Sequence, residues 1–405
     1  MPRVIVGMSG GVDSSVTAYL LKEKGYEVEG VSFLIWDETG EAAPVCCSYK
    51  AMDEVSGTAS HLGISHSIID VRSDFREKVI DPFVKAYISG LTPNPCVLCN
   101  RFIKFPSLLK EAEKRGAEFI ATGHYARIES NQQQGRFSVI PPAPPLEKGG
   151  KGGFENFTDF YFLRKGIDSK KDQSYVLHML NQDVLKRLIL PLGYYKKKEV
   201  RGIARALGLP SAERSESQEI CFIEDRNYLK FIDKLFPVAG TSGPIVNLNG
   251  KVIGAHKGVC GYTIGQRKGM GIASPEPLYV INIDTQSNTI YAGPREAAKK
   301  QEFVVQNINW IIPDISPLLR EDKDGLNLRA SVKVRSAMQD QPATIHLGAN
   351  PPLPPFTKGG VGGLLINNIV KVVFDEPQWA PAPGQSAVFY NEDKVIGGGL
   401  IKKSV

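Results

Sequence analysis

Two stretches of the chain carry residue types at spacings that could do chemistry: GMSGGVDSS, from Gly7 to Ser15, and TPNPCVLCNRFIKF, which separates Cys96 from Cys99 by two residues. The first follows the apolar run Val4-Ile5-Val6, and Val16, Tyr19 and Leu20 after it fall at helical spacing, with Gly25 as a closing cap. Glycine has no Cβ to hinder a bound oxyanion and tolerates positive φ, so backbone N–H groups can close on one point. Strand, turn and helix N-terminus in that order suit phosphate. An ordinary βα turn of small residues is the plain alternative, but three glycines, three serines and an aspartate within nine residues favour the anion site. No Gly-Lys-Ser/Thr ends the loop, so it is not a Walker A loop. The positive charge must come from elsewhere, and a magnesium ion held by Asp13 and the phosphates would supply it.

The C-x-x-C pair points two sulfurs at one centre and can hold a metal, an iron–sulfur cluster or a redox disulfide. Two ligands are too few for a metal, and Cys221, in SESQEICFIED, is the best third partner. Cys46, Cys47 and Cys260 are expected to be inert. His124, in ATGHYAR, follows a strand pattern and a glycine at the presumed ligand edge. Lys171, Asp172 and Gln173 are by composition ordinary loop residues, and Asn94-Pro95 would mark a turn for steric reasons alone.

These residues need a frame to hold them. The first 125 or so residues alternate strand patterns (VIVG, YEVEGVSF, HSIIDV, EFIATGH) with helical ones (SVTAYLLKEKG, AMDEVSGTASHLG, FPSLLKEAEKRG). That order predicts an α/β domain with a parallel sheet, whose ligands bind beyond the carboxyl ends of the strands. Helical patterns follow in SYVLHMLNQDVLKRLI and KKEVRGIARALGL, and after Gly240 short β-rich segments predict two β modules or barrels. The resulting boundaries give domains at 1–212, 213–298 and 299–405. Proline- and glycine-rich stretches at about 141–157 and 350–363 are expected to be surface insertions.

With 405 residues, 42% hydrophobic and 23% charged, the composition is that of a globular chain. Lys and Arg exceed Asp and Glu by six, which permits a polyanionic partner. The opening MPRVIVGMSG has no apolar core of a signal peptide, and no apolar run reaches membrane-spanning length. The expectation is a cytoplasmic protein with reduced cysteines and no membrane partner.

Taken together, GMSGGVDSS, TPNPCVLCNRFIKF, ATGHYAR, KKDQSYVL, SQEICFI, YTIGQRKGMGI, PGQSAVFY and GGGLI resemble, in order, the tRNA-specific 2-thiouridylase family. The resemblance implies a PP-loop ATP pyrophosphatase domain of the adenine nucleotide alpha hydrolase type, a small central domain and a C-terminal β-barrel that contacts tRNA. It implies ATP as substrate, with magnesium. Gly7, Met8, Ser9, Gly10, Gly11, Val12, Asp13 and Ser14 would cradle ATP, with Phe33 and Gly123 near adenine or ribose. Asn94, Pro95 and Cys96 would face the target base. His124, Lys171, Asp172, Gln173, Arg335, Ser336 and Gln385 would touch tRNA, and Arg267 and Lys268 would meet phosphate.

The implied reaction adenylates the 2-carbonyl oxygen of the wobble uridine in tRNAs for Lys, Glu and Gln, after which sulfur replaces it. Cys221 would receive a persulfide from a sulfur-relay donor protein, and Cys99 would be its catalytic partner, through a transient disulfide. Many members of the family carry aspartate where this chain has Cys96. Cys96, Cys99 and Cys221 could then bind an iron–sulfur cluster with one iron left open for sulfide. A small-molecule ATP-dependent ligase would explain the loop but leave the cysteines unused, and a non-catalytic RNA- or metal-binding protein is the third reading.

Overall fold

The apolar run Val4-Ile5-Val6 forms β1 (Arg3–Gly7), and its side chains alternate between two cores. Val4 and Val6 pack with Val16 and Leu21, while Ile5 packs on the opposite face with Phe105 and Leu108. A strand buried on both faces is what a helix-covered parallel sheet requires. The computed structural model describes residues 1–36, 49–131, 160–213, 220–223, 227–236, 240–323, 325–347 and 369–403. Cys46, Cys47 and the segments at 141–157 and 350–363 lie outside the described residues.

From β1 the chain runs through α1 (Val12–Glu23), β2 (Glu27–Leu34), α2 (Tyr49–His61) and β3 (Ser65–Asp70). It continues through α3 (Asp81–Ile88), α4 (Pro95–Cys99) and α5 (Phe105–Arg115) to β4 (Phe119–Ala121). β5 (Ala126–Ser130) and β6 (Tyr161–Lys165) leave this sheet, and β7 (Leu188–Ile189) completes its edge. All pairings are parallel, in the order β3-β2-β1-β4-β7. The order reverses between β1 and β4, so the loop after β1 lies at the switch point where such sheets bind ligands.

The helical pattern expected over residues 174–189 is broken in the structure into a 3-10 turn (Ser174–Leu177), a short helix (Gln182–Arg187) and β7. Leu188 and Ile189 pack into the two opposite cores, as neighbouring residues of a strand do and neighbours on a helix face do not. Beyond β7 lie α6 (Lys197–Ala206) and α7 (Tyr228–Leu235).

The middle of the chain forms a four-stranded sheet from β8 (Gly243–Val246), β9 (Val252–His256), β10 (Tyr279–Asp284) and β11 (Thr289–Gly293). Ile245, Val280, Ile283 and Ile290 are its core. The remaining strands are β12 (Lys299–Trp310), β13 (Leu319–Asp322), β14 (Gly325–Lys333), β15 (Gln341–Leu347), β16 (Ile369–Trp379), β17 (Ser386–Asn391) and β18 (Lys394–Ile401). Because β12 pairs with both β16 and β18, six antiparallel strands close in the order β12-β16-β15-β14-β17-β18. Val305, Val332, Ile345, Val372 and Phe389 fill this barrel.

The barrel sheet does not stop at its own strands. β6 pairs with β18 through Arg164 opposite Lys394 and Leu163 opposite Val395, so the β5–β6 hairpin of the first domain extends it. A second seam joins the barrel to the segment leading into α4, where the Thr92 N–H donates to the Pro383 carbonyl at 2.8 Å. Gly384 beside it has φ +89°, and a Cβ there would lie 2.9 Å from Leu91 Cβ and 3.0 Å from Thr92 N. Gly384→Ala should therefore cost about 1–3 kcal/mol of stability and speed amide exchange at Thr92. Thermal denaturation with residue-resolved hydrogen exchange checks this, and unchanged exchange at Thr92 would count against the seam.

Candidate nucleotide and thiol site

The loop from Gly7 to Ser14 is held from inside. Ser14 Oγ accepts from the Ser9 N–H at 3.2 Å and donates to the Gly11 carbonyl at 3.1 Å, and Ser15 Oγ donates to the same carbonyl at 3.2 Å. Those two hydroxyls are buried and occupied, whereas Ser9 is exposed. Met8 is tied to β2 by its N–H to the Val31 carbonyl at 2.8 Å and by Ser32 Oγ donating to its carbonyl at 2.7 Å. Gly10 takes φ +75°, and Gly11 caps α1 with no side-chain bond to the first-turn N–H groups. Val12 is buried beneath the loop. Gly123 backs the loop so closely that a Cβ would come within 2.9 Å of the Asp13 carbonyl carbon and Ser14 N. Phe33, half-buried at the end of β2, packs against two cores at this sheet edge.

The only charged side chain of the loop is Asp13, and the structure supplies its counter-ion. Lys197 Nζ donates to both Asp13 oxygens at 2.7 Å, and the Tyr125 hydroxyl donates to Oδ1 at 2.7 Å. Lys197 is buried at the first turn of α6, its ammonium 5.6 Å from the centre of the Tyr125 ring. Nothing in the run KKK at 196–198 marks the middle lysine as different from its neighbours. Only the packing of α6 against α1 does.

The thiols stand beyond the other side of the sheet edge. Asn94 caps α4, its Oδ1 accepting from the Cys96 N–H at 3.1 Å, and Pro95 occupies the first helical turn. Three positions apart on one short helix, Cys96 and Cys99 share a face. Cys221 is carried by a segment whose Phe222 and Ile223 anchor in the same core as Phe75, Phe83 and Ile103. Cys96 and Cys221 are exposed and Cys99 is half-buried.

Although its surface is accessible, Cys96 is closely surrounded by protein, and that desolvation, with the charge of Cys221, raises its pKa against the opposing pull of Lys104. Burial pushes the Cys99 thiol up to about 12, again with Lys104 pulling down and Cys221 and Cys96 pushing up. The three thiols thus feel one another, but among the described residues no three Cys, His, Asp or Glu side chains form a group able to hold a metal ion. The donor set expected for an iron–sulfur cluster is not assembled among the described residues.

Several residues expected at the RNA surface are engaged elsewhere. His124 is buried, its Nδ1 2.7 Å from Thr122 Oγ1, and burial with the nearby charge of Lys104 holds its pKa well below the ordinary histidine value. Asp172 has a side chain only 5% exposed; it accepts from the Gly166 and Ser174 N–H groups and Ser174 Oγ, and pairs with Lys333 at 3.7 Å. Gln173 exchanges bonds with the Tyr125 backbone, each at 2.9 Å. Arg335 donates to the Ala380 carbonyl at 2.7 Å and the Ile264 carbonyl at 3.4 Å, and so bridges the barrel to the central module. The Tyr175 hydroxyl lies 2.8 Å from the Ser386 carbonyl and 3.5 Å from Gln385 Oε1. Ser336, Arg267 and Lys268 are exposed and Lys171 is half-buried. Asp172 and Gln173 thus brace the loops around Tyr125 and Ser174, and His124 is buried beside Thr122.

A parallel sheet that reverses its order beside a Gly-Gly-x-Asp-Ser loop opening a helix, with no Walker lysine, defines the class of ATP pyrophosphatase-type enzymes. Family models agree on the chain's organisation: a tRNA methyl transferase HUP domain matches residues 2–225, more than half the chain, a tRNA methyl transferase PRC-barrel domain residues 229–294, and an aminomethyltransferase beta-barrel domain residues 363–401. The tRNA-specific 2-thiouridylase MnmA 1 of Caldanaerobacter subterraneus is 42% identical, covering 100% of this chain and 98% of that protein. MnmA of Clostridioides difficile (strain 630) is 39% identical over 100% and 99%. A 4-thiouridine synthetase in an RNA complex with ATP is a distant likeness, at 16% identity and a TM-score of 0.35 over 58% of this chain and 50% of that one. The chain belongs to the tRNA-specific 2-thiouridylase family, a group of tRNA-uridine 2-sulfurtransferases that use ATP. Among the described residues no helix is long and apolar enough to cross a membrane.

The thiol electrostatics give a signed prediction. At pH 7.5 Cys96 and Cys99 of the free protein are mostly protonated, so iodoacetamide should modify them more slowly than a free cysteine. Lys104→Gln removes a pull toward the thiolate and should slow both by up to about tenfold, the effect of one pKa unit. Cys221→Ser removes a repulsion and should speed both. Peptide-resolved alkylation rates check both signs.

Proposed function

We propose that this enzyme adenylates the 2-carbonyl oxygen of the wobble uridine in tRNAs for Lys, Glu and Gln, and then exchanges that oxygen for sulfur. ATP, with magnesium as its counter-ion, is held at the Gly7–Ser14 loop. The uridine oxygen attacks the α-phosphorus, pyrophosphate leaves, and the oxygen becomes part of a good leaving group. A persulfide on Cys221, loaded by a sulfur-relay donor protein, attacks C2 and expels AMP. The Cys99 thiolate then attacks the Cys221 sulfur, leaving 2-thiouridine and a Cys99–Cys221 disulfide. A thiol reductant must return the two electrons before the next cycle.

The observation that carries this reading is the placement of Cys99 and Cys221. Segments distant in sequence share one aromatic core, and the charge of Cys221 is close enough to raise the pKa of Cys99. The methyl transfer named in the descriptions of the matching family models would leave these thiols without a task. Cys96 takes the place of the aspartate common in the family, and with no carboxylate there, Lys104 is the charged group that acts on Cys96, Cys99 and His124 alike. Asn94 and Pro95 set the helix that carries both thiols, and Arg335, Ser336, Gln385 and Lys171 remain the side chains for the anticodon arm. The target base must leave its stack to enter.

Pyrophosphate release from ATP should depend on added tRNA. Cys99→Ser and Cys221→Ser should retain at least about half of that release in a single turnover while forming no 2-thiouridine, since each removes sulfur chemistry and leaves the loop intact. Nucleoside analysis by mass spectrometry with a pyrophosphate assay separates the steps. Pyrophosphate release without tRNA would instead favour a small-molecule ligase, and methylated product without ATP consumption would favour methyl transfer.

A further inference from the structure

We infer that Phe102, with the Arg101 guanidinium over its ring, is a stacking platform for the RNA base next to the target uridine; this rests on the reading that the substrate is tRNA. The pair follows the thiol helix without a break, in a π-helical turn (Asn100–Lys104). Leu98 packs against the aromatic core around Phe75 and Phe83, and one ordinary helical turn, four residues, would bring Phe102 back to that core. The wider π turn brings Ile103 there instead, buried, and leaves Phe102 outside at 41% exposed. A single apolar side chain on a surface needs no explanation. This one carries a cation, with the Arg101 guanidinium carbon 4.9 Å from the ring centre. A phenyl ring and a guanidinium plane both take a nucleic-acid base face-on.

Charge and rigidity both fit that occupant. Among the described residues neither Arg101 nor Lys104, in the same turn, has a carboxylate partner. Burial lowers the pKa of the Arg101 guanidinium, so it is partly stripped of water and suited to a polyanionic ligand. The backbone is held on both sides of the pair: buried Asn100 donates from Nδ2 to the Val176 carbonyl at 3.0 Å, and Ile103 is anchored in the core. Burial, and then the charge of Arg101, brings His178 down to about 4, which places Arg101 near the turn that follows Lys171 to Gln173. One continuous helical stretch thus carries the platform and the residues assigned to the target base, Asn94 to Cys96. Six residues at a rise of about 1.5 Å put Phe102 roughly 9 Å along the axis from Cys96, a reach suited to a neighbouring nucleotide. A target base that leaves its stack deprives its neighbour of one stacking face, and the ring replaces it.

A double-mutant cycle tests this: the wild type and Phe102→Ala are titrated with a tRNA for Glu, either intact or abasic at the nucleotide before or after the wobble uridine. Phe102→Ala should weaken binding of the intact tRNA by about fivefold or more, as loss of a base–aromatic stack does, and Phe102→Trp should recover it. One of the two abasic tRNAs should bind the wild type as weakly, and combining it with Phe102→Ala should lower affinity by no more than about a further twofold. Unchanged affinity of Phe102→Ala, or independent losses at both nucleotides, overturns the inference. Should Phe102→Ala fail to fold, the fluorescence that Phe102→Trp adds to the wild-type signal answers the same question. The intact tRNA should quench it and one abasic tRNA should not, and equal quenching by all three RNAs overturns the platform. If the wild type forms no 2-thiouridine in the intact tRNA and binds a tRNA without a wobble uridine equally well, the thiolation reading itself fails. If it thiolates the intact tRNA and the cycle is additive, only the platform does.

Discussion

Strand β18 is hydrogen-bonded to three strands, β12, β17 and β6, and the assembly of the molecule hangs on that arrangement. Two of the pairings close the barrel; the third extends its sheet into a hairpin that belongs, by chain position, to the nucleotide-binding domain. The chain leaves that hairpin through Gly166 and enters the loop of Asp172, Gln173 and Tyr175, so the loop inherits its position from the barrel. Tyr175 then meets the Ser386 carbonyl and Asp172 meets Lys333, which fastens the loop to β17 and β14. The Thr92–Pro383 bond fastens the cysteine helix to the same corner. These bonds tie the barrel to the first domain at the corner that carries the cysteine helix.

Asp172, Asn94 and Gln173 in this frame have their acceptor oxygens taken up by nearby N–H groups. Asp172 is enclosed by three donors and a buried lysine, and a carboxylate so placed would cost several kcal/mol if its partners were lost. Asn94 is spent on capping and Gln173 on the Tyr125 backbone. These residues fix the geometry of their neighbours, and a structural role is hard to separate from a contacting one by motif alone because both demand the same side chain at the same place.

The sheet, its helices and the loop were legible because they rest on local signals: Val4-Ile5-Val6 reads as a two-sided strand, and Gly10 and Gly11 as the turn that follows. The class of enzyme was legible from motifs in sequence order. What escaped depends on contacts across long separations. β6 is an ordinary hairpin strand whose second partner, β18, lies over two hundred residues away, and no periodicity records that pairing. Leu188 and Ile189 ended a convincing helical run but were claimed by the sheet edge. Lys197 sits among three consecutive lysines that composition treats alike. The spacing of Cys96 and Cys99 shows that they share a helix face, but it does not dictate whether sulfurs converge as ligands.

The hairpin has a further consequence, for synthesis rather than catalysis. Arg164 and its partner Asp393 are 229 residues apart, so at ribosomal rates of about 5–20 residues per second β6 waits on the order of 10–50 s for β18 to be made. Through that interval an unpaired strand edge stands open on a nascent domain whose core still lacks Val388, Tyr390 and Val395 of the barrel. Arg127, Arg164 and Lys165 give that edge a cationic character of the kind that discourages pairing with a neighbouring chain. In the finished molecule Arg127 and Arg164 bind Asp393, and Lys165 binds Asp340. The same charges that guard the strand on the ribosome become the latch that secures it to the barrel.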